Sequence, residues 1–263
     1  MKGCSHCGSS NADSAKFCNE CGKELAPVAS AYTAETPVAA LAAVGIDFQK
    51  LERTMQVLEG KRQADVMFVL DCTGSMGGEI DAIRDAIAAF ADTIKSDGVR
   101  VRVGMVAFRD RLINQDHGVL KFSGQRFTND AAAFRERIST LRAAGGGDEP
   151  ESSLDAVMLA LRQPFAPDAN KVIVLVTDAP PHIPDKETQS IEEVVQKIRT
   201  VGVQQFYLVM RTQDPRCQVY LKLLEGTRGM AFELGKGNDF RNRAEHFQRT
   251  LMSLGKTIST ATR

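Results

Sequence analysis

Four of the six cysteines lie in two Cys-x2-Cys pairs near the start of the chain. Cys4 and Cys7 form the first pair, Cys18 and Cys21 form the second, and ten residues separate the pairs. Four thiolates with this spacing can close tetrahedrally on Zn²⁺, and a glycine after each pair suits the tight turns that aim the sulfurs at one point. So short a segment cannot bury enough apolar surface to fold unaided. The pattern therefore predicts a zinc site that supplies the folding free energy of its own segment.

A second group of candidate ligands follows the apolar run at 66–70. Asp71, Thr73 and Ser75 form an Asp-x-Thr-x-Ser arrangement within DCTGSM. A carboxylate at a strand end and two hydroxyls on the turn after it can converge on a hard cation, which prefers oxygen ligands. Gly74 allows that turn to be tight. The arrangement predicts a site for Mg²⁺, or for Mn²⁺ in its place.

The elements that must position these side chains alternate between strand and helix. Apolar runs predict strands at 66–70, 101–108, 119–122, 172–177, 205–210 and 230–233. Helical spacing of apolar residues predicts helices between most of them, with a last helix over 239–254. Strands that are apolar throughout predict an α/β fold with a doubly wound, mostly parallel sheet covered on both faces. Such sheets bind ligands beyond the carboxyl ends of their strands, where the strand order reverses.

The chain before residue 63 has a different organisation. The cysteine segment, residues 1–25, resembles the short zinc ribbons found at the N-terminus of many bacterial proteins. Residues 26–45 are rich in alanine and proline and predict a linker without a core of its own. Residues 46–62 carry apolar side chains at helical spacing and predict an amphipathic lead-in helix. The α/β domain then occupies residues 63–263.

The segment VMFVLDCTGSM resembles the metal-ion-dependent adhesion site (MIDAS) of von Willebrand factor type A (VWA) domains. That motif is Asp-x-Ser/Thr-x-Ser, with further ligands on two later loops. The apolar run VIVLVTD ends in Asp178, the position at which the family carries its last site carboxylate. The resemblance implies the VWA fold, a Rossmann-like doubly wound sheet.

The second loop of the motif, which is the first of these two later loops, departs from the best-known members of the family, which offer a threonine hydroxyl there. The sequence GGGDEPESS resembles a Gly-Gly-Asp-x-Pro-Glu variant found in other branches, which implies Asp148 as the replacement ligand. Glu151 and Ser152 are alternatives. A further carboxylate would strengthen cation binding and weaken the attraction of the site for an acidic ligand.

In the family, the hydroxyls bind the metal directly, the aspartates act directly or through water, and an acidic side chain from a partner completes the octahedron. By resemblance, Thr73 and Ser75 are direct ligands, and Asp71 and Asp178 are direct ligands or act through water. Each residue also has an ordinary explanation, since Asp, Ser and Thr commonly cap helices. Their joint occurrence at strand ends favours the metal site. We expect Asp71 on a loop at the edge of the sheet.

Two further groups of residues receive structural explanations. The charged residues at 109–111 follow the second strand and could rim the same face as the site, but we expect them to be solvated loop charges. Cys72 and Cys217 are expected to be buried free thiols, since buried packing is the usual state of an isolated cysteine.

Bulk composition restricts the partners and the location. The chain has 33 basic and 33 acidic residues among 263, so no charge excess favours nucleic acid or membrane. We find neither an apolar run long enough to span a bilayer nor an export signal. Clustered cysteines without an export signal indicate bound metal in the reducing cytoplasm.

These features predict a non-enzymatic interaction scaffold. Mg²⁺ at the adhesion site would capture an acidic residue of a partner protein, the zinc ribbon would provide a second contact, and the linker would let both engage. The resemblance implies partners such as kinases, phosphatases or chaperone-like ATPases of bacterial stress and defence clusters.

Two other functions compete with this prediction. A phosphotransferase or phosphohydrolase could use Asp71 as a nucleophile with Mg²⁺, but Thr73 stands where haloacid-dehalogenase-like enzymes require a second aspartate. No nucleotide-binding glycine motif is present. A nucleic-acid-binding zinc-ribbon adaptor is the other alternative, although the three lysines of the ribbon are offset by three acidic residues.

Overall fold

The computed structural model describes residues 2–12, 15–25, 63–78, 80, 83–87, 89–90, 100–147 and 149–234, together with 249, 253 and 258. The chain divides into two compact units, Met1–Thr54 and Met55–Arg263. The predicted linker, the lead-in helix and Asp148 lie outside the described residues, as does the last predicted helix apart from two helical residues at 249 and 253.

The first unit contains a very small sheet. Strand β1 (Lys2–Gly3) pairs antiparallel with β2 (Ser10–Asn11). Its buried apolar cluster consists of Cys4, Cys18 and Leu25, with a few half-buried neighbours. A cluster of this size cannot hold a chain segment folded by hydrophobic burial alone.

The second unit is built on a six-stranded sheet. Its strands are β3 (Gln63–Asp71), β4 (Arg100–Phe108), β5 (Gly118–Val119), β6 (Asn170–Val176), β7 (Gln205–Met210) and β8 (Ala231–Glu233). The order is β5-β4-β3-β6-β7-β8, and every neighbouring pair is parallel except β4 and β5. The predicted doubly wound, mostly parallel sheet is confirmed.

One predicted strand is wrong in its extent. Residues 119–122 do not continue as a strand, because β5 ends at Val119 and Phe122 makes only an isolated bridge to Gln125. Ser123 and Gly124 have φ of 48° and 86°, and this left-handed pair turns the chain back.

Helices cover both faces of the sheet. They include α1 (Ala131–Ile138), α2 (Ser153–Leu161) and α3 (Ile191–Val201), a helix with described residues at 80, 83–87 and 89–90, and 3-10 segments at Gly74–Gly78, Arg111–Ile113 and Cys217–Leu224. Helix α3 shows the expected end signals: the Ser190 side chain accepts from the backbone N–H of Glu193, and Gly202 follows with φ of 72°. The spacing of Phe134, Ile138 and Leu141 predicts a helix that includes all three, but Leu141 lies beyond the end of α1.

Alternate residues of β3 enter two separate cores. Phe68 and Leu70 belong to the cluster that contains the helix after the first loop, whereas Met67 and Val69 belong to the cluster formed with α2 and α3. Burial on both faces explains why the strand is apolar throughout. The strand order reverses at β3, so the carboxyl ends of β3 and β6 lie side by side.

Among the residues that the structure describes, no helix combines the length and the apolar character that crossing a membrane would require.

Candidate metal centres

Asp71 is the last residue of β3 and is fully buried. Its Oδ1 accepts hydrogen bonds from the Thr73 backbone N–H (2.9 Å) and hydroxyl (2.6 Å), and its Oδ2 accepts one from the Thr177 hydroxyl (2.7 Å). Burial raises the pKa of Asp71 to about 6, although these hydrogen bonds oppose the shift. The expectation of a loop position was wrong, because the strand pairing of β3 with β4 extends through this residue.

The two hydroxyls of the first loop lie between two carboxylates. Thr73 Oγ1 and Ser75 Oγ are 3.1 Å apart, and Ser75 Oγ donates to Asp178 Oδ1 at 2.9 Å. Two ligands on adjacent corners of a Mg²⁺ octahedron, each 2.0–2.1 Å from the ion, are about 2.9 Å apart. The spacing and the oxygen-only donor set therefore fit a hard divalent cation. The structure brings together Asp71, Thr73, Ser75 and Asp178, as their positions at strand ends predicted.

The glycine loop at 145–147 packs against the first loop. The Gly74 backbone N–H donates to Gly145 O at 2.8 Å, and the Gly146 N–H donates to Gln115 Oε1 at 3.0 Å. Gly145 and Gly146 have φ of 76° and 70°. A β-carbon on Gly146 would lie 3.1 Å from both Thr73 Cβ and Glu151 Oε1. Glycine is needed here both for the backbone conformation and for the close approach.

A pocket of about 360 Å³ opens at this point, lined by Thr73, Gly74, Ser75, Gly145, Gly146, Gly147, Glu149 and Glu151. Glu151 is buried and lines the pocket together with Thr73. Ser152 is directed elsewhere, since its Oγ accepts from the Arg111 N–H at 2.9 Å. Of the two alternatives to Asp148, the structure places Glu151 at the pocket and Ser152 away from it.

The second and third loops are joined through their backbones. The Glu151 N–H donates to Pro180 O at 2.9 Å, and the His182 N–H donates to Glu151 O at 3.0 Å. This short parallel bridge fixes the position of Glu151 relative to Asp178.

An arginine missed by the sequence reasoning also reaches the site. Arg211, the residue after β7, donates from Nη2 to Asp178 Oδ2 at 2.7 Å and from Nη1 to Glu149 Oε1 at 3.2 Å. Arg216 Nη2 lies 2.6 Å from Glu149 Oε2. The available signal was a basic residue directly after a predicted strand, at the edge where the other site residues were expected.

The charged residues that follow β4 are structural. Asp110 is buried and accepts from the Leu112 N–H at 2.8 Å, and Arg111 Nη1 pairs with Asp155 Oδ2 at 2.8 Å. Arg109 donates to the carbonyls of Arg142 and Ala144, both at 2.8 Å. The expectation of solvated charges was wrong: these side chains hold the loops around the pocket. Cys72 and Cys217 are fully buried free thiols, as expected.

The four cysteines of the first unit form the other candidate centre. All four sulfurs lie within 4.8 Å of one another, with Cys4 to Cys21 and Cys7 to Cys18 at 3.6 Å. Zn–S bonds of 2.3 Å in a tetrahedron place sulfurs about 3.8 Å apart, so the cluster fits Zn²⁺. Backbone amides of Cys21 and Glu20 lower the pKa of Cys18 to about 6.

The turns around the cysteines follow the expected pattern. Gly8 and Gly22 have φ of 74° and 68°, and their N–H groups donate to the carbonyls of Cys4 and Cys18, both at 2.9 Å. Four sulfurs are a complete tetrahedral donor set for Zn²⁺. His6, which lies between two of the cysteines in sequence, is exposed and is not needed as a ligand.

Comparison with known proteins agrees with both parts of the chain. The family model described as von Willebrand factor A domain matches residues 65–236, and the zinc-ribbon domain model matches residues 4–25. The chain belongs to the von Willebrand factor A domain family and carries an N-terminal zinc-ribbon domain. Members of that family commonly mediate protein–protein interactions.

Individual relatives match only part of this chain. An alpha-protein kinase, vwkA, of Dictyostelium discoideum is 24% identical over 136 residues, which are 51% of this chain and 21% of the kinase. Human von Willebrand factor A domain-containing protein 7 is 33% identical over 119 residues, 45% of this chain and 12% of that protein. The solved VWA domain of SpRpn10 has a TM-score of 0.52 at 14% identity, covering 69% of this chain and 93% of its own. The chain thus spans about a fifth or less of the curated relatives.

Proposed function

We propose that this protein is a metal-dependent interaction scaffold. A Mg²⁺ or Mn²⁺ ion bound by Thr73, Ser75, Asp71 and Asp178 would supply an open coordination position, and an acidic side chain of a partner protein would fill it. The observation that carries the proposal is the 3.1 Å separation of the Thr73 and Ser75 hydroxyls, each hydrogen-bonded to a carboxylate.

The state of Asp71 supports binding over phosphoryl transfer. A nucleophilic carboxylate must reach the phosphorus atom, but Asp71 is fully buried and both of its oxygens accept hydrogen bonds from threonine. The role left for Asp71 is to orient the first-loop hydroxyls and to balance the charge of the cation. A scaffold of this kind needs no catalytic group.

The second loop has two candidate ligands. Asp148 remains our prediction from the loop sequence, and it lies outside the described residues. Glu151 is a described carboxylate on the same loop that lines the pocket together with Thr73. Either one would replace the threonine hydroxyl that better-known members of the family carry.

The zinc ribbon at 1–25 is the proposed second contact. Zn²⁺ on Cys4, Cys7, Cys18 and Cys21 would hold it folded, and a linker at 26–45, followed by a helix at 46–62, would join it to the domain at 63–263. A tether raises the effective concentration of one module at the binding site of the other. Four reduced thiolates favour a cytoplasmic location.

Titration of Mg²⁺ and Mn²⁺ into metal-depleted protein of known zinc content, followed by calorimetry, tests the proposal. We expect saturable binding in the wild type and a loss on the order of a hundredfold in Asp71→Asn combined with Ser75→Ala. Asparagine keeps the size and one acceptor oxygen of Asp71, so the strand end stays folded. Asp168→Asn is the matched control, because Asp168 is exposed and precedes the amino end of β6.

Equal binding by the wild type and the double variant would contradict the assigned ligands. If neither binds, the capture mechanism is wrong and the zinc ribbon becomes the place to look for function.

A further inference from the structure

The two carboxylate oxygens of Asp178 contact different partners. Oδ1 accepts from the Ser75 hydroxyl, on the side of the candidate metal ligands, whereas Oδ2 accepts from Arg211 Nη2. We therefore expect Ser75 to keep its contact with Asp178 when Arg211 is replaced. The Arg211 guanidinium thus places a positive charge next to Asp178, on the side opposite its contact with Ser75.

The same guanidinium also contacts the second loop. Arg211 Nη1 lies 3.2 Å from Glu149 Oε1, and Glu149 Oε2 is taken by Arg216. Both oxygens of Glu149 are thus engaged by arginines, although Glu149 lines the pocket. Glu151 is the other described second-loop carboxylate that lines the pocket.

Charge decides what a metal-loaded pocket attracts. Four described carboxylates lie at or next to the pocket: Glu149 and Glu151 line it, and Asp71 and Asp178 accept hydrogen bonds from its two hydroxyls. Against one divalent cation alone, they would leave excess negative charge, which repels an acidic side chain. The guanidinium of Arg211 offsets one of these charges, whereas the charge of Arg216 is shared between Glu149 and Asp214.

Resting on the proposed function, we propose that Arg211 determines the specificity of the adhesion site. Its charge weakens binding of the bare cation and strengthens binding of a carboxylate to the loaded site. The residue acts through Asp178 and through the field at the pocket, so it is a positioning and charge-balancing residue. A purely mechanical bracket between the two loops would instead make Arg211 necessary for cation binding.

Calorimetry with Mg²⁺ alone separates these roles. A unit charge removed from about 7 Å in a water-like dielectric changes the affinity for a divalent ion about three- to tenfold, so Arg211→Gln should bind Mg²⁺ tighter by that factor. Arg211→Lys keeps the charge but cannot bridge two carboxylates in a fixed fork, and we expect wild-type Mg²⁺ affinity. Arg199→Gln is the control, since Arg199 is exposed, pairs with Glu225 and lies at the far end of α3.

Acetate then probes the loaded site. Titrated into Mg²⁺-saturated protein and followed by amide NMR shifts of the loop at 145–147, acetate should bind Arg211→Gln at least about threefold more weakly than the wild type or Arg211→Lys. Weaker Mg²⁺ binding by both Arg211 variants would identify a mechanical bracket and overturn the inference. Unchanged Mg²⁺ and acetate binding in Arg211→Gln would overturn it as well. Absence of Mg²⁺ binding in the wild type would overturn the proposed function and the inference with it.

Discussion

The two candidate metal centres of this chain differ in what holds their ligands in place. In the ribbon, the buried cluster contains two of the cysteine ligands themselves and one leucine, Leu25. In the VWA unit, the ligands stand at the ends of strands buried on both faces. We therefore expect metal binding to stabilise the fold of the ribbon, whereas the sheet by itself positions the candidate ligands of the proposed adhesion site.

The electrostatics of the two centres differ in the same way. Without a cation, the ribbon would hold four sulfurs within 4.8 Å with no opposing charge among its ligands. At the proposed adhesion site, hydroxyls and the Arg211 guanidinium already compensate Asp71 and Asp178. We therefore expect this site to keep its geometry when the metal is removed.

The largest effect should follow loss of a zinc ligand. Cys18→Ser removes a buried sulfur that lies 3.6 Å from that of Cys7, and we expect zinc affinity to fall on the order of a hundredfold or more, with unfolding of the ribbon. Zinc content by mass spectrometry and amide hydrogen exchange over residues 2–25 would measure this. The exposed His6→Ala is the control and should retain zinc. Slow exchange persisting in zinc-free Cys18→Ser would show that the ribbon folds without metal.

An intermediate effect is expected from one methyl group in the glycine loop. Gly146→Ala forces alanine to φ of +70°, which costs roughly 1–2 kcal/mol, and presses on Thr73 and Glu151. We expect the free energy of unfolding of the metal-free protein, measured by urea denaturation, to fall by that amount. The Mg²⁺ affinity, measured by calorimetry, should fall by about 10- to 100-fold.

The neighbouring glycine provides the control for this substitution. A β-carbon on Gly147 meets only Ile113 Cδ1, at 3.7 Å. The free energy of unfolding of Gly147→Ala should therefore stay within about 0.5 kcal/mol of that of the wild type. Equal effects at both positions would mean that the loop tolerates no side chain at all, and the contact with Thr73 would not be the cause.

The smallest expected effect is the loss of folding stability at acidic pH that results from protonation of His117. Burial, assisted by the charge of Arg111, lowers the pKa of His117 from its ordinary 6.5 to about 4. The unfolded chain then binds more protons than the folded one between these values, so the contribution of His117 is fully present above about pH 6.5 and is lost as the pH falls toward 4.

Urea unfolding at pH 7 and pH 5 measures this contribution. His117→Gln can still donate to the Arg109 carbonyl, which lies 3.2 Å from His117 Nε2, and we expect it to lose less stability than the parent on acidification. Both proteins should carry Cys18→Ser, because acid also releases zinc from thiolates. Identical losses in the two proteins would show that His117 does not titrate differently on folding.

Much of the fold could be predicted because its strands are short apolar runs buried on both faces. The run at 205–210 coincides with β7, and that at 101–108 differs from β4 by one residue. The prediction failed where local backbone conformation decided the outcome. Nothing in the apolar run at 119–122 showed that Ser123 would take a positive φ and end the pairing.

Some site residues could be predicted from local sequence patterns, and others could not. Asp71, Thr73 and Ser75 are close in sequence and Asp178 ends an apolar run, so a pattern could find them. Arg211 carries no such motif, and its role depends on β7 lying next to β6. The charges at 109–111 were misjudged because their partners, among them Asp155, lie far away in the chain.

The sequence by itself determined the cysteine cluster, the first-loop motif and the alternation of strands and helices, because spacing and periodicity over a few residues carry that information. Only the tertiary structure decided that Asp71 is buried, that Glu151 and not Ser152 adjoins the pocket, and that Arg211 neutralises two loops at once. Each of these depends on which strand ends become neighbours. The order of parallel strands arises from packing of the whole sheet, which no local pattern encodes.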